Sequence, residues 1–374
     1  MIMATDNKDK VLNVPNLRFP EFGGEWIRCT LGDITENFSR RNKEEIHYPM
    51  FSVTNNKGFI PQSEQFEDRE MIGEDIKAYK IIHRDDFAYN PARINVGSIA
   101  KYNEENPCMI SSLYVCFKTN PKIDNDWMMQ LLKTPKMNFY YNINGEGGVR
   151  IYLFYPNFAR IKTSYPTLKE QQKISSFLNL LDERISTQNK IIEDLKKLKS
   201  AISANLFMNN DWEQYPIGDL CNSLPVKPYI CPSVSGDGAY PIIQQGDNPI
   251  VGYTKSKPFK TYNDVVLFGD HTLSIYRPNA PFLLFTDGLK ILERKALVTR
   301  DFLYYLLCFY RPKSEGYKRH YSILKDIYVP VPTIKKQKQI STGLLNVDIK
   351  IAIAEKIEKF YQKQKQYLLA QMFI

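Results

Sequence analysis

Tyr165-Pro166-Thr167-Leu168-Lys169-Glu170-Gln171-Gln172-Lys173-Ile174 returns later in the chain as Val331-Pro332-Thr333-Ile334-Lys335-Lys336-Gln337-Lys338-Gln339-Ile340, an offset of 166. The register persists through Leu181-Asp182 against Val347-Asp348 and on to Leu206-Phe207-Met208 against Met372-Phe373-Ile374. A second pair recurs at an offset of 186: Trp26 with Leu31-Gly32-Asp33-Ile34, against Trp212 with Ile217-Gly218-Asp219-Leu220. Self-similarity at this scale fixes the architecture before any local reading. The chain is a tandem of two halves, each an entry segment, a long middle, a proline stop and a long helical pattern. The two offsets differ by 20, so the length difference lies in the middles, which share little sequence. Similar frames around dissimilar inserts point to two versions of one task.

After Pro166, Thr167 is placed to be an N-cap with Glu170 three residues on, a capping box. Apolar residues then fall at Ile174, Leu178, Leu181, Ile185, Ile192, Leu195 and Ile202, a heptad-like seam. The pattern ends near Asn209-Asn210, since Asn tolerates the left-handed conformation that turns a helix off. The second copy starts at Thr333 and carries Ile340, Leu344, Val347, Ile351, Ala354, Tyr361, Leu368 and Met372. About 40 residues at 1.5 Å each give roughly 60 Å per helix, so each seam needs a partner. Matching lengths and seams predict an antiparallel pair related by a pseudo-twofold. Packing of each helix on its own module and an intermolecular coiled coil are the alternatives. The second helix is the most basic segment, with 8 Lys against 3 acids over residues 333–374. Such a face suits a phosphate backbone, a large partner or plain solvent.

A length of 374 residues suggests two or three domains without metal or disulfide staples. Composition, 43% hydrophobic and 24% charged, is that of an ordinary globular protein and excludes global disorder. No apolar run approaches bilayer length, and Met1 to Val11 lacks the apolar core of a secretory signal, so the expected location is the cytoplasm. The six cysteines never form a C-x-x-C pair and read as free thiols. A net charge of +9 permits a polyanionic partner without demanding one.

Both middles read as α+β modules. Strands are expected at Tyr48 to Val53, Ala78 to Ile82, Asp86 to Tyr89 and Leu113 to Phe117, with one helix over Asp126 to Tyr141. In the second, strands are expected at Tyr240 to Ile243, Asp264 to Phe268 and Phe282 to Phe285, with a helix over Thr299 to Tyr310. A strand in each leads into a polar turn, Asn55-Asn56-Lys57-Gly58 or Gln244-Gln245-Gly246-Asp247-Asn248. Amide and Lys side chains there suit base edges or phosphates, since Asn and Gln pair bidentately with adenine; ordinary turn chemistry accounts for them equally well. Further candidates for nucleic-acid contact are Arg40, Arg41, Lys43, Arg93, Lys101, Arg150, Tyr152, Lys255, Lys257, His271, Arg319, His320 and Tyr321.

The catalytic inventory is poor. No G-x-x-x-x-G-K-[ST] or H-E-x-x-H occurs, and Gly145-Glu146-Gly147-Gly148 fails the dinucleotide fingerprint because Arg150 takes the third glycine position. Asn90-Pro91 lacks the Pro-aromatic continuation of an adenine-methyltransferase loop. Asp287 with Glu293 and Lys295 faintly matches a nuclease metal site, in which carboxylates hold Mg²⁺ and Lys supports the attacking water. A metal-dependent nuclease and a protein scaffold without a DNA role are therefore the rival readings.

The framed repeat resembles the specificity subunit of type I restriction-modification systems. The residues that carry the likeness are Leu17-Arg18-Phe19-Pro20-Glu21-Phe22 with Gly24-Glu25-Trp26, Leu31-Gly32-Asp33-Ile34, and Pro166 to Ile174 with Phe177-Leu178 and Leu181-Asp182, plus their second copies. It covers residues 15–374. The second half departs in two places: Lys336 stands where the first copy has Glu170, and no Arg-Phe-Pro motif precedes Trp212.

The resemblance implies an α+β protein of two target-recognition modules of mixed β-sheet, residues 15–166 and 211–332. Two long antiparallel coiled-coil helices, residues 167–210 and 333–374, join them, and residues 1–14 form a tail. It further implies that each module reads one half of a split double-stranded DNA site, with helix length setting the spacer. Two methyltransferase subunits would dock on the helices, through residues such as Gln171 beside the seam, and restriction subunits would join the complex. The chain itself would be non-catalytic and hold no cofactor. S-adenosylmethionine, Mg²⁺ and ATP would belong to the partners, which flip the target adenine.

Overall fold

The computed structural model describes residues 12–65, 76–148, 151–208, 211–231, 233–234, 237–314, 316 and 318–374. The chain forms two compact units: the first holds the chain up to Thr187 together with Ile357–Ile374, the second Gln188–Lys356. This division cuts both long helices in mid-length and does not set them apart as segments of their own.

The first unit begins with β1 (Ile27–Thr30), α1 (Leu31–Ile34), β2 (Thr35–Phe38), β3 (Phe51–Thr54), β4 (Gly58–Pro61), α2 (Gln62–Gln65), β5 (Lys80–Ile82) and β6 (Phe87–Tyr89). It continues with β7 (Ile99–Lys101), β8 (Cys108–Ile110), β9 (Val115–Thr119), α3 (Asn125–Leu132), α4 (Pro135–Asn144), α5 (Tyr155–Ala159), β10 (Lys162–Tyr165) and the start of α6 (Leu168–Phe207). An antiparallel sheet runs in the order β2-β9-β6-β7, and β3 pairs with β4 and β5 with β8. Entry and exit are closed by β1 against β10, Ile27 opposite Tyr165. Asn13 joins that closure: its Nδ2 donates to the Trp26 carbonyl at 2.7 Å and to Ser164 Oγ at 3.1 Å. The chain is therefore built into the sheet before the tail expected over residues 1–14 ends.

The core explains these elements. All three residues of β6 are buried, and Phe87, Tyr89, Phe117, Trp127 and Phe158 pack with Leu178 and Leu181 of α6. Full burial of such side chains is worth roughly 1.5–3 kcal/mol each. The single helix expected over Asp126 to Tyr141 is two. Thr134 caps the second, its hydroxyl accepting from Met137 N at 3.2 Å, and Pro135 takes the first turn. A proline has no N–H to continue the first helix and disfavours helical geometry in the residue before it. The expected strand start at Tyr48 shifts to Phe51, and that at Leu113 to Val115.

The second unit contains β11 (Glu213–Pro216), α7 (Ile217–Leu220), β12 (Cys221–Leu224), β13 (Tyr240–Ile243), β14 (Ile250–Thr254), β15 (Val265–Gly269), β16 (Ile275–Tyr276), β17 (Leu283–Leu284) and β18 (Leu289–Arg294). Then follow α8 (Arg300–Phe309), α9 (Tyr321–Lys325), β19 (Tyr328–Val331) and α10 (Ile334–Met372). β11 pairs with β19 as β1 does with β10. Its main sheet runs β12-β18-β15-β16, the strand order of the first unit repeated, beside a sheet of β14-β13-β17. The helix expected over Thr299 to Tyr310 is α8, capped by Thr299, whose hydroxyl accepts from Phe302 N at 3.3 Å.

α6 and α10 run antiparallel within each unit. In the first, Lys365 Nζ meets Asp182 Oδ1 at 2.5 Å and the Arg184 guanidinium lies over Tyr361. In the second, Gln188 Nε2 donates to the Ala354 carbonyl at 3.2 Å, and Lys199 pairs with Asp348 at 2.6 Å. Numbers rise along one helix as they fall along the other. Covered positions on α6, residues 182, 185, 188, 192, 195, 199 and 202, step by three or four, the signature of a two-helix seam. Of the expected seam, Ile174, Leu178, Leu181, Ile340, Leu344, Ala354 and Leu368 are buried, while Ile185, Ile192, Leu195, Val347, Ile351 and Tyr361 are half-buried. The ends of α6 also pack on the module cores, so helix pairing and module packing occur together.

The expectation at the start of α6 changes. Glu170 does not reach back to cap: its carboxylate, 1% exposed, accepts from Arg18 Nε and Nη2 at 2.7 Å and from the Trp26 indole at 3.2 Å. The turn-off at Asn209-Asn210 lies outside the described residues; the helix ends at Phe207. All six cysteines are free thiols, Cys308 the exposed one. Among the described residues no helix is long and apolar enough to cross a membrane.

Candidate nucleic-acid interface

In the second unit the chain leaves β15 at Gly269 into Asp270, whose side chain is 2% exposed. Asp270 ties three segments together. Its N–H donates to the Gly288 carbonyl at 2.8 Å, its carbonyl accepts from His320 N at 2.9 Å, and its Oδ1 accepts from Tyr321 N at 2.8 Å. Lys290 approaches the other carboxylate oxygen at 3.7 Å, which balances the buried charge. Next along, His271 N donates to Gln245 Oε1 at 3.2 Å, and Gly246 N donates to Ser274 Oγ at 2.9 Å. The His271 ring faces the Lys318 carbonyl at 3.1 Å. The turn after β13, the loop after β15 and the segment before α9 thus converge, gathering Gln244, Gln245, Asn248, His271, Arg319 and Tyr321.

Their roles differ. Arg319 is exposed and stands 3.9 Å from the equally exposed Asp287. His320 is fully buried, its ring against the Asp270 carbonyl, so it anchors the loop and is not a surface contact. Tyr321 is half-buried beside Phe268. Gln244 turns its Nε2 back to the Asn248 carbonyl at 3.0 Å. Lys255 and Lys257 are exposed but follow the end of β14 that pairs with Tyr240, away from the hairpin tip by about 16 Å of strand.

The first unit builds the same convergence from different residues. After β6, Asn90 N donates to the Ser98 carbonyl, and Ser98 Oγ donates to the Val53 carbonyl of β3 at 2.6 Å. Gly97, at φ +97°, makes the left-handed turn that brings this loop against Asn55, at the tip of the β3-β4 hairpin. Leu153 N donates to the Pro91 carbonyl at 3.0 Å, while Glu146 and Tyr152 exchange both backbone bonds at 2.8 Å. Asn55, Asn56, Lys57, Arg93 and Tyr152 are all exposed around this point. Arg150 lies outside the described residues. The sequence reading missed Phe154, 49% exposed, whose ring stacks on Tyr152 at 6.2 Å and 13°. The alternation Tyr152-Leu153-Phe154, apolar-inward only at Leu153, was the available signal.

The remaining expected contacts differ in exposure. Lys101 is 13% exposed and holds Asp126 at 2.6 Å and Asp85 at 3.5 Å, so its charge is internally neutralised. It lines a cleft of about 550 Å³ with Asn55, Asn56 and Lys57. Arg40 lies over Phe38 and pairs with the buried Asp86 at 2.9 Å, bracing β5 through the Ile81 carbonyl; Arg41 and Lys43 are exposed on either side of the buried Asn42. Gln171, expected to dock a partner subunit, is fully buried. Its Oε1 accepts from Asp124 N at 2.8 Å and its Nε2 donates to the Lys122 and Pro166 carbonyls.

The nuclease triad is not assembled. Lys295 Nζ donates to the Gly218 carbonyl at 3.1 Å, Glu293 sits in β18 opposite Val265, and Asp287 faces Arg319. Among the described residues no three His, Cys, Asp or Glu side chains group as a metal site.

Residues 209–359 match the family described as the type I restriction modification DNA specificity domain. The chain is 26% identical over 414 residues to a protein of Methanocaldococcus jannaschii described as the MjaX specificity subunit of a type I restriction enzyme, covering 96% of this chain and 95% of that one. The MjaVIII specificity subunit of the same organism is 24% identical over 57% of this chain and 61% of its own. In fold, the chain is similar to the S subunit of a type I restriction-modification system from M. genitalium (TM-score 0.64, 15% identity, 96% and 99% coverage). It is also similar to a chain in a structure of type I complex assembly and conformational transition (TM-score 0.54, 16% identity, 92% and 96% coverage).

Proposed function

We propose that the chain is a specificity subunit of the type I restriction-modification kind, to which its sequence and fold are similar, and that its two units read the two halves of a split double-stranded DNA site. The observation that carries this is the repeated convergence: in each unit a hairpin tip, the loop after the central strand and the loop before a short helix meet, around Ser98 in one and Asp270 in the other. The residues exposed there, Asn55, Asn56, Lys57, Arg93, Tyr152 and Arg319, are donors, cations and aromatics, the kinds that position phosphates and read base edges. Different residues on one frame give each unit its own sequence preference.

In this reading the chain supplies recognition and no catalytic step. The outer faces of α6 and α10 receive two methyltransferase subunits, and restriction subunits complete the assembly. S-adenosylmethionine, Mg²⁺ and ATP are held by those partners, with the cytoplasm as the working location. The test is to co-express the full chain with the methyltransferase subunits of its own system and map methylated adenines by single-molecule sequencing. A split motif with a constant spacer is expected. A soluble, intact complex that adds no methylation returns the chain to a scaffold without a DNA role.

A further inference from the structure

We propose that Gln245 is a base-reading residue of the second unit, presenting its amide NH₂ as a donor to a hydrogen-bond acceptor on a base edge. This rests on the DNA-reading function above. The amide orientation follows from chemistry. The group facing its oxygen is the backbone N–H of His271 at 3.2 Å, and only a carbonyl oxygen accepts there. The NH₂ is thereby turned to the other side, where it has no hydrogen-bond partner among the described residues.

Packing holds it in that pose. A Cβ at Gly288 would stand 2.5 Å from Gln245 Nε2, and one at Gly269 would stand 2.9 Å from Gln245 Cβ. Glycine at both positions leaves a slot that the side chain occupies. The next residue, Gly246, at φ +110°, is pinned by Ser274 Oγ, so the backbone carrying Gln245 is fixed as well. A preorganised donor of this kind loses little freedom on binding. Gln244 differs, since one N–H of its Nε2 is held by the Asn248 carbonyl of its own turn.

The chemistry selects the ligand. With its oxygen engaged, Gln245 suits acceptors in the major groove, namely guanine N7 and O6, adenine N7 or thymine O4, and not the amino group of cytosine. Arg319 on the converging loop is exposed and stands 3.9 Å from the exposed Asp287, a partner that a neighbouring phosphate would replace.

The test compares wild type with Q245A, the near-isosteric Q245E, and G288A, in the full chain co-expressed with its methyltransferase subunits, by mapping methylated adenines. Wild type is expected to give a split motif. Q245A relaxes discrimination roughly tenfold at one position of one half and leaves the other half unchanged. G288A, which displaces Nε2, reproduces that relaxation, and Q245E shifts the preference at that position toward cytosine. An unchanged motif in Q245A, or an even loss of methylation with both halves of the motif intact, overturns the assignment alone. Wild type with no split motif removes the DNA-reading function and the assignment with it.

Discussion

Gln171 and Gln337 make the same three-bond clamp in the two halves. Gln171 Oε1 accepts from Asp124 N, the N-cap of α3, while its Nε2 holds the Lys122 and Pro166 carbonyls. Gln337 Oε1 accepts from Thr299 N, the N-cap of α8, while its Nε2 holds the Leu297 and Pro332 carbonyls. Both side chains are fully buried, and each fastens a module helix to a long helix. Substituting either by Ala leaves a buried N–H and two carbonyls without partners, a loss of about 2–4 kcal/mol. Urea unfolding of Q171A and Q337A measures it; a change below about 0.5 kcal/mol contradicts the clamp.

Among the described residues the Arg18-Glu170-Trp26 cluster exists once. Glu170→Ala takes the carboxylate from a guanidinium left with only the Gly23 and Gly24 carbonyls and the acceptor from the Trp26 indole, and is expected to cost about 3 kcal/mol. Lys336, the position that matches Glu170, is exposed, so Lys336→Ala stays within about 0.5 kcal/mol. Equal losses from the two substitutions would refute this asymmetry.

Leu178 is fully buried and Leu180 is 58% exposed on the same helix. Leu178→Ala is expected to lower stability by about 2–5 kcal/mol, and Leu180→Ala by less than about 0.5. Thermal melting of the pair checks which face of α6 is packed.

Burial pushes the thiols of Cys108 and Cys116 up to about 12. An unfolded thiol ionises near 9.0, so between pH 9 and 12 the unfolded chain sheds protons that the folded chain keeps. Stability is full below pH 9 and falls as pH rises through that window. Denaturant midpoints at pH 8, 9.5 and 10.5 should decline in that order, and a Cys108→Ala/Cys116→Ala protein should decline less steeply.

The repeat, the two long helices and their seam were legible because they depend on local periodicity. The shared strand order of the modules was not. Strands of two to six residues carry little pattern, and β2 meets β9 across some eighty residues. Turn chemistry found the hairpin tips at Asn55 and Gln244. It had no means of knowing that Lys101 meets Asp126 or that His320 sinks beneath Asp270, since those partners lie far along the chain. The two departures of the second half, the missing Arg-Phe-Pro motif and Lys336, prove to be one fact: with no arginine to pair, no buried glutamate is needed.

The packing of Leu368, Leu369, Met372 and Phe373 against Trp26 and Trp127 sets an order on the birth of the molecule. The unit begun before the other is finished by a stretch made after it: Leu17 N bonds to the Gln371 carbonyl. At typical elongation rates Thr187 precedes Ile374 by roughly ten to forty seconds. Through that interval the nascent first half shows water the aromatic floor that α10 will later roof, while the contiguous second half can close at once. A nonsense codon just before Ile357 would therefore injure the earlier-made unit and spare the later one.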